Sequence, residues 1–133
     1  MSHIYDEHET LGVLRYVVQQ KGPQHVYQRH QEVGYVCLYY DRAAGCPSCL
    51  VGHVLEQLGF PPPPASIEGR AVRTIIDGVA LTDFEAYWTE KFTSRAIHLL
   101  AVAQDSQDGG ETWGEALERA ERRYRAWHPV GSA

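Results

Sequence analysis

The residues best suited to do chemistry in this chain fall in one stretch, Cys46-Pro47-Ser48-Cys49-Leu50-Val51-Gly52-His53. Two thiols separated by Pro-Ser at the start of a helix suit dithiol chemistry. The helix N-terminus lowers the pKa of the first thiol, and the second resolves the mixed disulfide. The same stretch also fits zinc. Cys37, Cys46, Cys49 and His53 give C-x8-C-x2-C-x3-H, the ligand types of a tetrahedral site, and Cys49 and His53 can reach one ion from a single helix face. A third reading is structural. Free cysteine behaves as a small hydrophobe, and Gly52 marks a place where another segment comes close to the helix.

The helix that carries these residues is expected over Pro47–Leu58. Proline suits its first turn, and Gly59 stops it with Phe60 folding back onto Leu55. At 100° per residue Leu50, Val51, Val54, Leu55 and Leu58 gather on one side. Cys49, His53 and Glu56 fall opposite them and form a polar face, the candidate binding surface.

Other elements must position that helix. Asp6-Glu7-His8-Glu9 reads as a reciprocal cap opening a helix with Leu11, Leu14, Val17 and Val18 on its buried side, ended by Gly22-Pro23. His25–Arg29 and Tyr35–Tyr40 read as two strands of a hairpin with His30–Gly34 as its loop. Pro61–Pro64 reads as a stiff connector. Ser66 is expected to cap a short helix carrying Ile67, Ala71 and Ile75, ended by Gly78. Thr82-Asp83-Phe84-Glu85 opens a long helix running through Phe92 and Ala103 to Asp108-Gly109-Gly110. Thr112-Trp113-Gly114-Glu115 opens a last helix with Trp113, Ala116, Leu117, Ala120, Tyr124 and Trp127 as its stripe. Pairs Glu115–Arg119, Glu118–Arg122 and Glu121–Arg125 are expected to support it. The short connection makes the last two helices an antiparallel hairpin. The fold class is thus α+β and mainly helical, with a small antiparallel β-hairpin packed on four to five helices.

A chain of 133 residues has room for one globular domain, 1–133, with a core that needs no staple. Its 44% hydrophobic and 22% charged residues exclude disorder as a whole-chain state. A net charge of −5 argues against nucleic acid as the partner, although Arg119, Arg122, Arg123 and Arg125 make the last helix locally basic. Three cysteines are too few for a disulfide scaffold. No apolar run approaches a membrane span, and Met1–Glu7 has no signal-peptide pattern, which implies a cytoplasmic protein.

Two stretches carry a family resemblance. Pro47-Ser48-Cys49-Leu50-Val51-Gly52-His53 through Leu58-Gly59 is one. Ala103-Gln104 through Gln107-Asp108-Gly109 and on to Thr112-Trp113-Gly114-Glu115-Ala116 is the other. Together they are similar to small uncharacterised proteins of actinobacteria and their bacteriophages. In that family the Ser-Cys-Leu-Val-Gly core recurs, whereas a cysteine matching Cys46 is not a regular feature. The stretch around Cys46 and Cys49 also resembles the active-site turn of glutaredoxins, which implies a thiol-disulfide oxidoreductase using those two cysteines. Those folds place a proline-containing loop beside the dithiol, and Arg73–Val79 has no proline. With no Ser-His-Asp order or paired-carboxylate motif, the expected function is that of an accessory protein that binds a host or self protein without catalysis and without a cofactor. The alternatives are the Cys46/Cys49 oxidoreductase and a zinc domain built on Cys37, Cys46, Cys49 and His53.

Overall fold

The computed structural model describes residues 3–27, 38–68, 70–78 and 81–129. Six α-helices are present among them: α1 (Glu7–Lys21), α2 (Leu50–Gln57), α3 (Arg73–Asp77), α4 (Asp83–Lys91), α5 (Ser94–Asp108) and α6 (Trp113–Trp127). They are joined by a two-stranded antiparallel hairpin, β1 (Tyr40–Asp41) and β2 (Cys46–Pro47), which gives a mainly helical α+β fold. No described helix is long and apolar enough to cross a membrane.

Local chemistry explains most helix starts. The Asp6 carboxylate accepts from the Glu9 N–H at 2.8 Å, and Glu9 accepts in return from the Asp6 N–H. Thr82 with Glu85, and Thr112 with Glu115, form the same reciprocal box on α4 and α6. α2 ends as its sequence implies. The Gly59 N–H bonds the Glu56 carbonyl and the Phe60 N–H reaches back to Leu55 at 3.0 Å, the two bonds of a Schellman stop.

α5 is the central element and packs on α1, α2, α3 and α6. Its Ala96, Ala101 and Ala103, and Ala116 and Ala120 of α6, are all fully buried, so the two helices approach closely. Arg95 near the start of α5 lies over the Trp127 ring at the end of α6, so the two run antiparallel as expected. Leu11 and Leu14 of α1 and Leu50, Val51, Val54 and Leu55 of α2 complete the core.

Three expectations need correction, and a fourth, the first hairpin, falls mostly outside the described residues. The strand ending at Tyr40 pairs forward, with Tyr40 opposite Pro47 and Asp41 opposite Cys46. The expected loop and parts of both expected strands, including residues 35–37, lie in 28–37, outside the described residues; Val26 bridges to Thr112. The long helix from Thr82 is two helices. Phe92 is extended and lies beside Tyr5, whose N–H and carbonyl bond Lys91 and Thr93, and the Thr93 hydroxyl caps α5. The segment from Ser66 is a 3-10 turn (Ala65–Ile67) and then α3. The chain turns extended at Glu68 because its buried carboxylate accepts from the Tyr39 and Tyr40 N–H groups and from Arg42. Of the three expected ion pairs on α6 only Glu118–Arg122 forms, at 3.8 Å. Arg119 turns to Glu111 and Glu121 to Arg15, trading a pair within one turn for contacts between segments.

Candidate functional site

The helix that was to open at Pro47 opens three residues later. The Ser48 and Cys49 N–H groups bond the Tyr39 and Leu38 carbonyls at 3.0 Å, which keeps both residues extended. Pro47 therefore belongs to β2, and Cys49 is the N-cap of α2, its Sγ accepting from the Gly52 N–H at 3.5 Å. The Leu50 N–H, with no partner inside the helix, bonds the buried Gln107 side chain from α5 at 2.7 Å. Gly52 is required at its position: a Cβ there would stand 2.0 Å from the Tyr39 carbonyl oxygen.

This start separates the residues of the expected polar face. Cys49 lies outside the helical wheel and is fully buried, while His53 is half-buried and Glu56 exposed. The two described cysteines, neither in a disulfide, divide the dithiol requirements between them. Cys46 is exposed but sits on β2, away from the helix N-terminus, and Cys49 is at the N-terminus but buried. Among the described residues no group of three or more His, Cys, Asp or Glu is arranged to hold a metal ion. Cys37, the remaining member of the zinc set, lies outside the described residues.

His53 belongs to a different grouping. Its Nδ1 is 2.8 Å from the Cys49 carbonyl oxygen. A carbonyl only accepts, so Nδ1 carries the proton and Nε2 presents its lone pair. The ring meets Trp113 edge-on at 5.1 Å, and Trp113 also meets His25 at 4.5 Å. Burial pushes His53 below the ordinary imidazole value. Lys21 and His25 add to this, while the Cys49 carbonyl and Glu56 oppose it. Burial, with help from Lys21, lowers His25 as well.

His53 and Glu56 line a cleft of about 320 Å³ between α1 and α2, together with Tyr16, Gln20, Lys21 and Gln57. Tyr16 is 46% exposed, and neither Lys21 nor Glu56 enters an ion pair among the described residues. The sequence signal for Tyr16 and Gln20 is their place on α1: they stand one turn apart, outside the Leu11–Leu14–Val17–Val18 stripe. An aromatic residue off the buried face of an amphipathic helix leaves part of its ring open to contact.

Two carboxylates elsewhere, Glu85 and Glu111, are held by fixed partners. Buried Glu85 would be raised by its burial, but Arg70, Thr82 and Thr74 hold it below the usual carboxylate value. Arg119 and Ser106 hold Glu111 at about 2. Comparison with protein-family models, curated proteins and solved structures gives no match.

Proposed function

We propose that this chain is a non-catalytic binding domain, an accessory protein of the phage and actinobacterial kind it resembles, which receives a host or self protein at the α1–α2 cleft. The observation that carries this reading is the cleft rim: an exposed Tyr16 beside Lys21 and Glu56, neither of which has an ion-pair partner among the described residues. Tyrosine provides large contact area at small entropic cost and is enriched where proteins meet. The rim stands on fixed parts, since His53 is tied to Cys49 and packed on Trp113. A platform that does not reorganise loses less entropy on binding. The net charge of −5 favours a protein partner over nucleic acid. The reading places the chain in the cytoplasm, that of the host if phage-encoded.

A photo-crosslinking side chain placed at Tyr16 tests it, with Tyr87 on α4 as the control, since Tyr87 is also exposed, at 39%. One discrete adduct, to a host protein or a second copy, is expected from position 16 and none from position 87. Equal labelling from both positions, or turnover of a small substrate, would overturn the reading.

A further inference from the structure

The proline run 61–64 fixes its own conformation. Each pyrrolidine ring locks φ at about −65°. A residue that precedes proline is turned away from the helical region, which keeps Phe60, Pro61, Pro62 and Pro63 extended. Pro64 is not followed by proline, yet it too has φ −65° and ψ 153°. The run is therefore a left-handed polyproline II turn, with about three residues per turn.

That period gives the segment three edges. Pro61 and Pro64 share one, Pro62 and Ala65 the next, and Pro63 stands on the third. Pro63 is buried, and the other four residues are exposed. One edge thus seats on the domain while the two adjoining edges face outward. The seat is fixed at several points. Arg42, held on Glu68 at 2.8 Å, donates to the Pro63 carbonyl. Before the run the Phe60 ring stacks on Phe92 at 5.5 Å. After it the Ile67 N–H bonds the Pro64 carbonyl at 3.1 Å.

The Pro61 and Pro62 carbonyls accept no hydrogen bond among the described residues. Stiffness alone accounts for proline at any of the four places. It does not account for two outward ridges of rings accompanied by two open acceptors. Such a surface suits the grooves that read polyproline II, where ridges of proline lie between aromatic side chains. Tryptophan and tyrosine, which line those grooves, also carry the N–H or O–H that an open carbonyl takes.

We infer that segment 61–65 is a presented polyproline II ligand, and that its partner is a protein domain with a groove lined by Trp and Tyr. The inference stands on residues outside the α1–α2 cleft and does not depend on that site. Because the segment already holds its bound conformation, docking costs little backbone entropy.

The test titrates the full chain, labelled for amide detection, with isolated SH3, WW and EVH1 domains, whose grooves are of this kind. At least one of them is expected to shift the Ala65 amide saturably, and excess capped decaproline should displace it. The double variant Pro61→Ala/Pro64→Ala removes one whole outward edge and should weaken binding about tenfold or more. Arg123→Gln on α6 should leave binding unchanged. No shift with any of the domains, or undiminished binding by the double variant, overturns the inference. So does a shift of Ala65 that arises from raising the concentration of the chain alone, which would make the occupant a second copy. Crosslinking from position 16 reads other residues, so its result stands or falls separately.

Discussion

At the scale of single residues, Gly52 and Cys49 show how little room the start of α2 allows. The Tyr39 carbonyl lies where a Gly52 Cβ would be, and both partners are backbone, so neither can turn away. Gly52→Ala is therefore expected to cost at least about 2 kcal/mol, within the range for overpacked positions, as a lower urea midpoint with an unchanged slope. Gly114 is under the same constraint, with Pro23 backbone and ring atoms within 3.2 Å of its Cβ position. The cysteines differ by burial. In a Cys37→Ser background a thiol reagent should titrate one group, Cys46, in the native protein and a second, Cys49, only on unfolding. Two fast-reacting thiols in the native state would contradict the burial of Cys49.

At the scale of elements, helix ends are completed by side chains from other helices. Gln107 of α5 receives the Leu50 N–H of α2, and Gln104 receives the Val72 N–H just before α3. Both glutamines are at most 2% exposed, so water does not replace them. Gln107→Leu keeps the approximate volume and removes the acceptor, leaving a buried N–H unmet. A loss of about 1–3 kcal/mol is expected, with amide exchange accelerated first at Leu50 and Val51. Uniform acceleration across all helices would show that the bond is not local to α2. The break between α4 and α5 has a similar origin. Thr93 caps α5, and the extended Phe92 before it is held by Tyr5, far away in the chain.

At the scale of the whole molecule, His25 and His53 tie stability to pH. Both are lowered from the ordinary imidazole value of 6.5, mainly by burial. The unfolded chain then binds protons at a pH where the folded chain does not. Their contribution is complete above about pH 6.5 and is lost as pH falls through the lowered folded values. Thermal melts from pH 8 to 5 should show stability declining below about 6.5, and His53→Gln should flatten that decline. A decline of unchanged size in the His53→Gln chain would assign the effect elsewhere. At higher pH the melting temperature should be nearly constant, because neither imidazole changes charge there.

The sequence by itself determined what depends on near neighbours. The reciprocal caps at Asp6, Thr82 and Thr112, the buried stripes of α1 and α2, the glycine stop after Leu58 and the antiparallel α5–α6 pair were all legible, because each rests on residues a few positions apart. So was Gly52 as a point of close approach, though not what approaches it. The tertiary structure alone decided the rest. Tyr39 and Leu38 occupy the N–H groups of Ser48 and Cys49, so α2 starts late and Cys49 becomes a buried cap. Long-range contacts also divide α4 from α5 and redirect Arg119 and Glu121. The candidate site follows the same rule. Periodicity picked out His53 and Glu56, but Tyr16, Gln20 and Lys21 join them only because α1 packs beside α2, a juxtaposition of segments more than thirty residues apart that no local pattern encodes.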